Sequence, residues 1–447
     1  MKKQERSTGR PGESKSSAEN IRKRPLSAGP TAAVEAAVAK ITPSRWAAFE
    51  ILKQVGEGRG HSDELLHSAR VNALSVEDRN LTTALVLGVL RWQIALDARV
   101  RAWLLRPEQR LAEPVAIALR MGVFQLLHMD RIPVHAALSE SVELCKAAGE
   151  AHAAGMVNAI LRKIAAAPRG GVPLYEPTAA FAERLGHPAW IVERWVKEYG
   201  RTATIAICEA DQREPMEGGM FAESGGDWPQ MDDGSRLVAE IAAAAMPGAG
   251  RVWDCCAAPG GKTLVLARRL GAAEILASDV SAKRLAMTES RLRRYSYADR
   301  VRFEVADAAD ARGVEGSFDL ILCDAPCSGT GTMAGNPEIR HRVKFEDLAR
   351  QAARQRLILE GALKRLSPGG RLIYSTCSLE PEECEQVVEG LSGVRRVPVD
   401  GLIAELGEQG IFLSGVELGS AVRDGALRTL PGVQDGDGFC AVVLEQE

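Results

Sequence analysis

From residue 251 onward, short apolar runs of strand length alternate with segments of helical period, and most runs end on a polar or reactive side chain. Arg251-Val-Trp-Asp254 precedes a helix beginning near Lys262, and Glu274-Ile-Leu-Ala-Ser-Asp279 precedes one beginning near Ala282. Val301-Arg-Phe-Glu-Val305, Phe318-Asp-Leu-Ile-Leu-Cys-Asp324, Gly370-Arg-Leu-Ile-Tyr-Ser375 and Gly438-Phe-Cys-Ala-Val-Val-Leu444 continue the series. The pattern predicts an α/β domain over 235–447 on a mostly parallel sheet. Ligands of such sheets bind beyond the carboxyl ends of the strands. The acids and two of the cysteines of this half fall there.

The other half has a different period. Trp46, Phe49, Leu52 and Val55, then Leu81, Leu85 and Val89, then Val115, Leu119, Val123 and Leu126 recur at helical spacings, with Gly and Pro at the breaks. Residues 44–167 therefore read as an all-α helical domain. Residues 1–40 mix Lys, Arg, Ser, Gly and Pro with few large apolar groups, which predicts a disordered basic tail. Between 168 and 234 the signal weakens to a linker with one helix, about 190–199.

Composition removes several classes. A 447-residue chain has length for two or three domains, and its net charge of −3 leaves any grip on nucleic acid to local patches. No run approaches the roughly 18 apolar residues of a membrane span, and the basic N-terminus lacks the apolar stretch of a secretory signal, so the expected address is the cytoplasm. The nine cysteines include no CxxC pair, so neither a disulfide framework nor a zinc or other metal site is expected.

Asp254-Cys-Cys256-Ala257-Ala258-Pro259-Gly260-Gly261-Lys262-Thr263 follows the first strand and opens a helix, so glycines and free N–H groups face an incoming ligand. It lacks the glycine of a Walker A loop, which argues against a phosphate cradle. Asp279 ends the second strand, where a carboxylate accepts both ribose hydroxyls, and Asp307 ends the third, where one takes the amino group of adenine. Adenosine is implied. NAD fits the same two acids, and only the missing GxGxxG fingerprint weighs against it.

Two further strand ends carry Asp324-Ala-Pro-Cys327-Ser328 and Ser375-Thr376-Cys377-Ser378. A thiolate is soft enough to add to C6 of a pyrimidine, which makes C5 nucleophilic enough to take a methyl group. A buried cysteine is otherwise a small core hydrophobe, the reading for Cys145, Cys208 and Cys440 and for the strand residues Cys255 and Cys323.

Taken together, these motifs resemble the RNA cytosine-5 methyltransferases of the Nol1/Nop2/Sun family, over about 235–446. The resemblance implies a Rossmann-like domain binding S-adenosyl-L-methionine through Cys256 to Lys262, Asp279, Asp307 and Asp324. It implies Cys377 as the attacking thiolate, Cys327 as the group assisting breakdown of the covalent intermediate, and Asp324 as the contact to the cytosine edge. Gly88-Val-Leu-Arg91, Leu119-Arg120-Met-Gly122 and Val157-Asn158-Ala-Ile-Leu-Arg162 resemble the helical domain of the NusB antitermination family. That domain precedes the catalytic one in some rRNA methyltransferases, which implies RNA contact by these arginines, 16S rRNA as partner and a monomer.

The chain departs from the family in three places. Cys384 stands where asparagine is common, and Gly335 stands where a basic residue is usual, in the loop 331–340 expected to touch RNA. Ala210-Asp-Gln-Arg213-Glu-Pro215 passes almost directly to Met231-Asp-Asp-Gly-Ser235, so most of an RNA-facing subdomain is absent. Two other readings stand beside the first: the same chemistry on tRNA or 23S rRNA, and a non-catalytic RNA-binding protein of antitermination type.

Overall fold

The computed structural model describes residues 32–167, 176–215 and 218–447. Five helices, Pro43–Gly56, Val76–Arg101, Glu113–His128, Val134–Ala147 and Ala154–Ala166, form the frame of the N-terminal domain. Their apolar faces meet in one core that includes Phe49, Leu85, Val89, Leu119, Leu144 and Leu161. Ser75 caps the longest helix by accepting the Asp78 N–H at 3.1 Å. That helix is long and apolar enough to cross a bilayer by composition, yet Leu85, Val89 and Leu96 are spent on the domain core.

The basic tail expected over 1–40 lies outside the described residues as far as 31. From there the expectation fails: Ala32–Val38 is a helix, with Ala37 and Ile41 in the core. Val34, Ala37, Val38 and Ile41 recur at three- and four-residue steps, enough for one apolar face.

The C-terminal half is a single nine-stranded sheet. Its strands are β1 (Arg251–Asp254), β2 (Glu274–Asp279), β3 (Val301–Val305), β4 (Phe318–Asp324), β5 (Leu366–Thr376), β6 (Val394–Val397), β7 (Val422–Arg423), β8 (Ala426–Arg428) and β9 (Cys440–Gln446). The order is β3-β2-β1-β4-β5-β9-β8-β7, with β6 also paired to β9. The first five strands are parallel, and the pairings among β5 to β9 are antiparallel. Strand order reverses between β1 and β4, which opens a crevice at their carboxyl ends. The alternation along each strand feeds two cores: Val252, Leu320 and Ile373 face one layer of helices, and Trp253, Ile321 and Leu372 face the other.

Residues 178–210 are more than a linker. Helices Thr178–Arg184 and Ala189–Ala210, the second broken at Gly200, bury Phe181, Ile191, Trp195 and Ile207 against Met333, Leu379 and Leu430 of the catalytic domain. Trp195 Nε1 donates to Glu380 at 3.0 Å, and the Tyr199 hydroxyl donates to the Leu379 carbonyl. The apolar face is clear only once its partners, some 180 residues away, are in place.

The same packing changes the expectation for the loop 331–340 and for two of the helical arginines. Arg340 is 1% exposed and donates to the carbonyls of Arg91, Gly186, Asp211 and Met333 at 2.9–3.3 Å. Arg91 donates to the Ala334 carbonyl at 2.8 Å, and Glu338 accepts from the Ser62 N–H and hydroxyl. Ala334, Glu338 and Arg340 thus form a seam between the two domains, and of this loop Gly335 and Asn336 are left exposed. Arg120 is paired with Asp97 and Glu113, while Arg162 is exposed. Gly88 belongs to packing as well, since a Cβ there would lie 2.0 Å from the Phe124 ring.

Candidate active site

Cys327 stands three residues beyond β4, and Cys377 directly follows β5. Their strands are parallel neighbours, with Asp324 opposite Ser375 in register. That pairing brings the two sulfurs to 3.4 Å. The Gly331 N–H donates to the Cys377 carbonyl at 2.9 Å and ties the two loops, and a third segment requires glycine there, since a Cβ on Gly331 would lie 2.2 Å from the Gly438 carbonyl.

Asp324, the last residue of β4, is held from both sides. Its Oδ1 accepts the Ser375 hydroxyl at 2.7 Å, and its Oδ2 accepts Lys262 Nζ at 2.7 Å. Lys262 also donates to Ser235 Oγ at 2.8 Å and lies 4.7 Å from the centre of the Phe439 ring. The carboxylate is therefore fixed in direction while one quarter of its side-chain surface stays open. Below it, Asp254 is fully buried and accepts the Thr263 hydroxyl at 2.6 Å. Burial, with Asp324 nearby, pushes its carboxyl up to about 7.

The chain is 33% identical to the ribosomal RNA small subunit methyltransferase B of Xanthomonas campestris pv. campestris, over 92% of this chain and 99% of that protein. It belongs to the ribosomal RNA small subunit methyltransferase B family. The probable ribosomal RNA small subunit methyltransferase B of Bacillus subtilis is 30% identical over 90% of this chain and 98% of its own. Residues 245–445 match the family of 16S rRNA methyltransferases RsmB/F, and residues 42–166 match the NusB family. The crystal structure of PH0851 shares the fold, with a TM-score of 0.66 at 20% identity over 91% of this chain and 99% of that one. As a member of the methyltransferase B family, the chain is a methyltransferase whose methyl donor is S-adenosyl-L-methionine.

The residues present fit that donor. A cleft of about 470 Å³ runs from Asp279 and Asp307 past Cys256 to Asp324, Cys327 and Cys377. This lies within the range of roughly 300–1,000 Å³ of small-molecule sites. Asp279 is 4% exposed, accepts the Ser281 N–H at 2.8 Å and lies 3.5 Å from the Arg284 guanidinium, which leaves lone pairs for ribose hydroxyls. Asp307 is exposed two residues past β3 and accepts the Ala309 N–H at 3.0 Å. Ala258 lines the cleft with Cys256, whereas Ala257, Pro259, Gly260, Gly261 and Lys262 do not. Ala257 is buried, with its N–H on the Ser278 carbonyl, and Gly260 caps the helix Gly261–Arg269 with φ 96°.

Ser235, Phe439 and Glu383, which adjoin the cleft residues, carry no motif signal in the sequence. Ser235 reaches Lys262 from the start of the helix Asp233–Ala245, and Phe439 comes from the approach to β9. Glu383 is buried between the residues that follow the two cysteines. Cys384, the departure from asparagine, is fully buried, with Sγ 3.2 Å from the Thr376 hydroxyl and 3.4 Å from the Ser378 carbonyl. It lies close to Cys440 and Glu385, a grouping with the donor atoms of a metal site. Arg428 already occupies Glu385 with two bonds of 2.6 Å and supplies the positive charge there.

Proposed function

We propose that this chain transfers a methyl group to C5 of a cytosine in 16S rRNA through a covalent cysteine–C6 adduct. The observation that carries this reading is the pair of sulfurs 3.4 Å apart, beside a fixed Asp324, in the cleft that also holds Asp279. Direct methyl transfer to an amine needs no thiol, because the amine lone pair attacks the methyl group itself. Two at this spacing suit a reaction that must make a carbon–sulfur bond and later break it.

The Cys377 thiolate adds to C6, and the electrons of the C5–C6 bond move toward C5. Asp324, with its oxygens aimed by Ser375 and Lys262, accepts the N4 amino hydrogen and orients the ring as charge develops. S-adenosyl-L-methionine, when bound, supplies an electrophilic methyl group to C5. A base then takes the C5 proton, the double bond re-forms, and Cys377 leaves as a thiolate. Cys327 assists that departure from 3.4 Å.

Bisulfite sequencing of total RNA from cells with and without the gene tests this reading. A single 16S rRNA cytosine should lose its protection. A lost mark in tRNA or 23S rRNA instead would keep the chemistry and move the target, which the short passage from Pro215 to Met231 makes a fair alternative. No lost mark anywhere would favour a non-catalytic RNA-binding role.

A further inference from the structure

Six of the nine cysteines are buried, and the three that keep some exposure, Cys256, Cys327 and Cys377, all line the cleft. Of these, Cys327 and Cys377 hold their sulfurs 3.4 Å apart. The loops that carry the pair are pinned together. Ser328 and Ser378, the next residues, lie 3.1 Å apart through their hydroxyls. Both end on Glu383, which has no exposed surface: its Oε1 accepts the Ser328 N–H at 2.9 Å, and its Oε2 accepts the Ser378 hydroxyl at 2.6 Å. With both backbones held, the sulfurs meet or part by side-chain rotation alone.

A disulfide brings its sulfurs to about 2.05 Å. From 3.4 Å that is a short approach, and it needs no movement of the strands. The cleft that admits solvent to both sulfurs also admits a small oxidant. Asp279, Asp307 and Asp324 line it, so a neutral oxidant enters more readily than an anionic one. A peroxide meets both conditions.

We propose that Cys327 and Cys377 form a reversible oxidative modification site, a disulfide made by a peroxide and unmade by a dithiol. One of the two sulfurs, as a thiolate, attacks a peroxide oxygen; the O–O bond breaks, hydroxide leaves, and that sulfur becomes a sulfenic acid. The other sulfur attacks it: the S–S bond forms, the S–O bond breaks, and the oxygen leaves as water with the second thiol's proton. The two sulfurs lose two electrons and the peroxide gains them. The outcome is the same whichever sulfur reacts first. A partner already in contact captures the sulfenic acid before more peroxide carries it to the irreversible sulfinic acid. The consequence for activity rests on the function proposed above. A linked Cys377 has no thiolate to add to C6, so methyl transfer stops until a dithiol frees both sulfurs.

Treatment of the full chain with hydrogen peroxide at neutral pH, followed by iodoacetamide and digestion without reductant, tests the site in the absence of RNA and methyl donor. A linked pair of peptides should appear, lighter by two hydrogens than its two parts, with fragmentation placing the bond between Cys327 and Cys377. Dithiothreitol should abolish it. Under the same treatment Cys327→Ser should give no linked pair, and its Cys377 should go on to a sulfinic acid that dithiothreitol does not reverse. Thiols left unreacted in the unaltered chain, sulfinic acid at Cys377 without the linked pair, or a bond to Cys384 in its place would overturn the proposal. So would a Cys327→Ser chain whose Cys377 resists further oxidation as well as the unaltered one. Methyl transfer is read separately and should fall in proportion to the linked fraction, then return with dithiothreitol. A linked chain that still transferred methyl groups would fault the role given to Cys377 in the reaction and leave the modification site standing.

Discussion

The catalytic cleft and the seam between the two domains are both built from buried polar side chains, but their partners differ in kind. In the cleft, side chains satisfy one another: Lys262 with Asp324 and Ser235, Ser375 with Asp324, and Ser328 and Ser378 with Glu383. Across the seam, most of these side chains end on the main chain: Arg340 on four carbonyls, Arg91 on Ala334, Arg342 on Gly60, and His341 on Leu90, with Glu338 on the Ser62 hydroxyl as well as its N–H. A side chain that grips another side chain can be tuned by substituting either. One that grips carbonyls depends on the path of the backbone, so the seam holds two folded domains in register and nothing less than folded domains will form it.

The comparison breaks most sharply at the cysteines. Cys377→Ala should abolish methyl transfer, a loss on the order of 10⁴-fold or more as for other covalent nucleophiles. Cys327→Ala should accumulate a protein–RNA adduct that survives a denaturing gel. Neither should disturb the seam, so the urea midpoint should hold within experimental error. The opposite outcome, adduct from Cys377→Ala and none from Cys327→Ala, would exchange the two roles. At the seam the effect runs the other way. Arg340→Ala takes a donor from four carbonyls, of which that of Arg91 keeps Gln212 Nε2, and should cost about 3–5 kcal/mol in urea unfolding. Arg340→Lys should recover only part of that, because one ammonium cannot span the same four oxygens. A loss below about 1 kcal/mol would mean that the seam is wet and loosely held.

How much of this was legible in the sequence differs between the same two regions. The parallel strands β1, β2 and β4 were visible because each is an apolar run buried on both faces and bounded by turns, and the partly exposed edge strand β3 because Val301, Phe303 and Val305 alternate with polar residues. The strand-end acids and cysteines were visible for the same reason, since a strand end places its next residues in the crevice. The seam was not visible. Arg91, Arg120 and Arg340 have the composition of RNA-binding residues, and only tertiary packing shows that Arg91 and Arg340 end on carbonyls and Arg120 on carboxylates. Phe181, Ile191 and Trp195 likewise fell in a weak stretch because their partners, Leu379 and Leu430, lie far along the chain. The two-residue β7 and three-residue β8 are too short to have a period. Glu383 has meaning only when Ser328 arrives from 55 residues away.

Acid should separate the two regions with the smallest effect and the clearest sign. His341 donates Nε2–H to the Leu90 carbonyl at 2.8 Å, a bond the charged ring can also make, so it is burial that disfavours the charge. Burial, with Arg340 and Arg120 nearby, pushes the ring down to about 4. The unfolded chain, with an ordinary imidazole near 6.5, binds more protons than the folded one between these values. The stability this residue contributes is therefore full above about 6.5 and is lost as pH falls toward 4. Buried His187, pushed down chiefly by desolvation, acts in the same direction. Asp254 in the cleft has the opposite sign. Its folded carboxyl, raised to about 7, binds a proton that the unfolded carboxyl releases above about 4, so acidification from neutral pH stabilises the cleft. Going from pH 7 to pH 5 should thus weaken the seam by ~2 kcal/mol through His341, a figure set by its displacement from the ordinary value. Asp254 gains ~2 kcal/mol over the same interval, so the unaltered chain's urea midpoint should move little, whereas His341→Gln, which keeps an amide donor but cannot titrate, should gain stability. Asp254→Asn removes the opposing contribution, so its midpoint should fall. Equal slopes in all three would mean that the protons controlling stability sit in neither region.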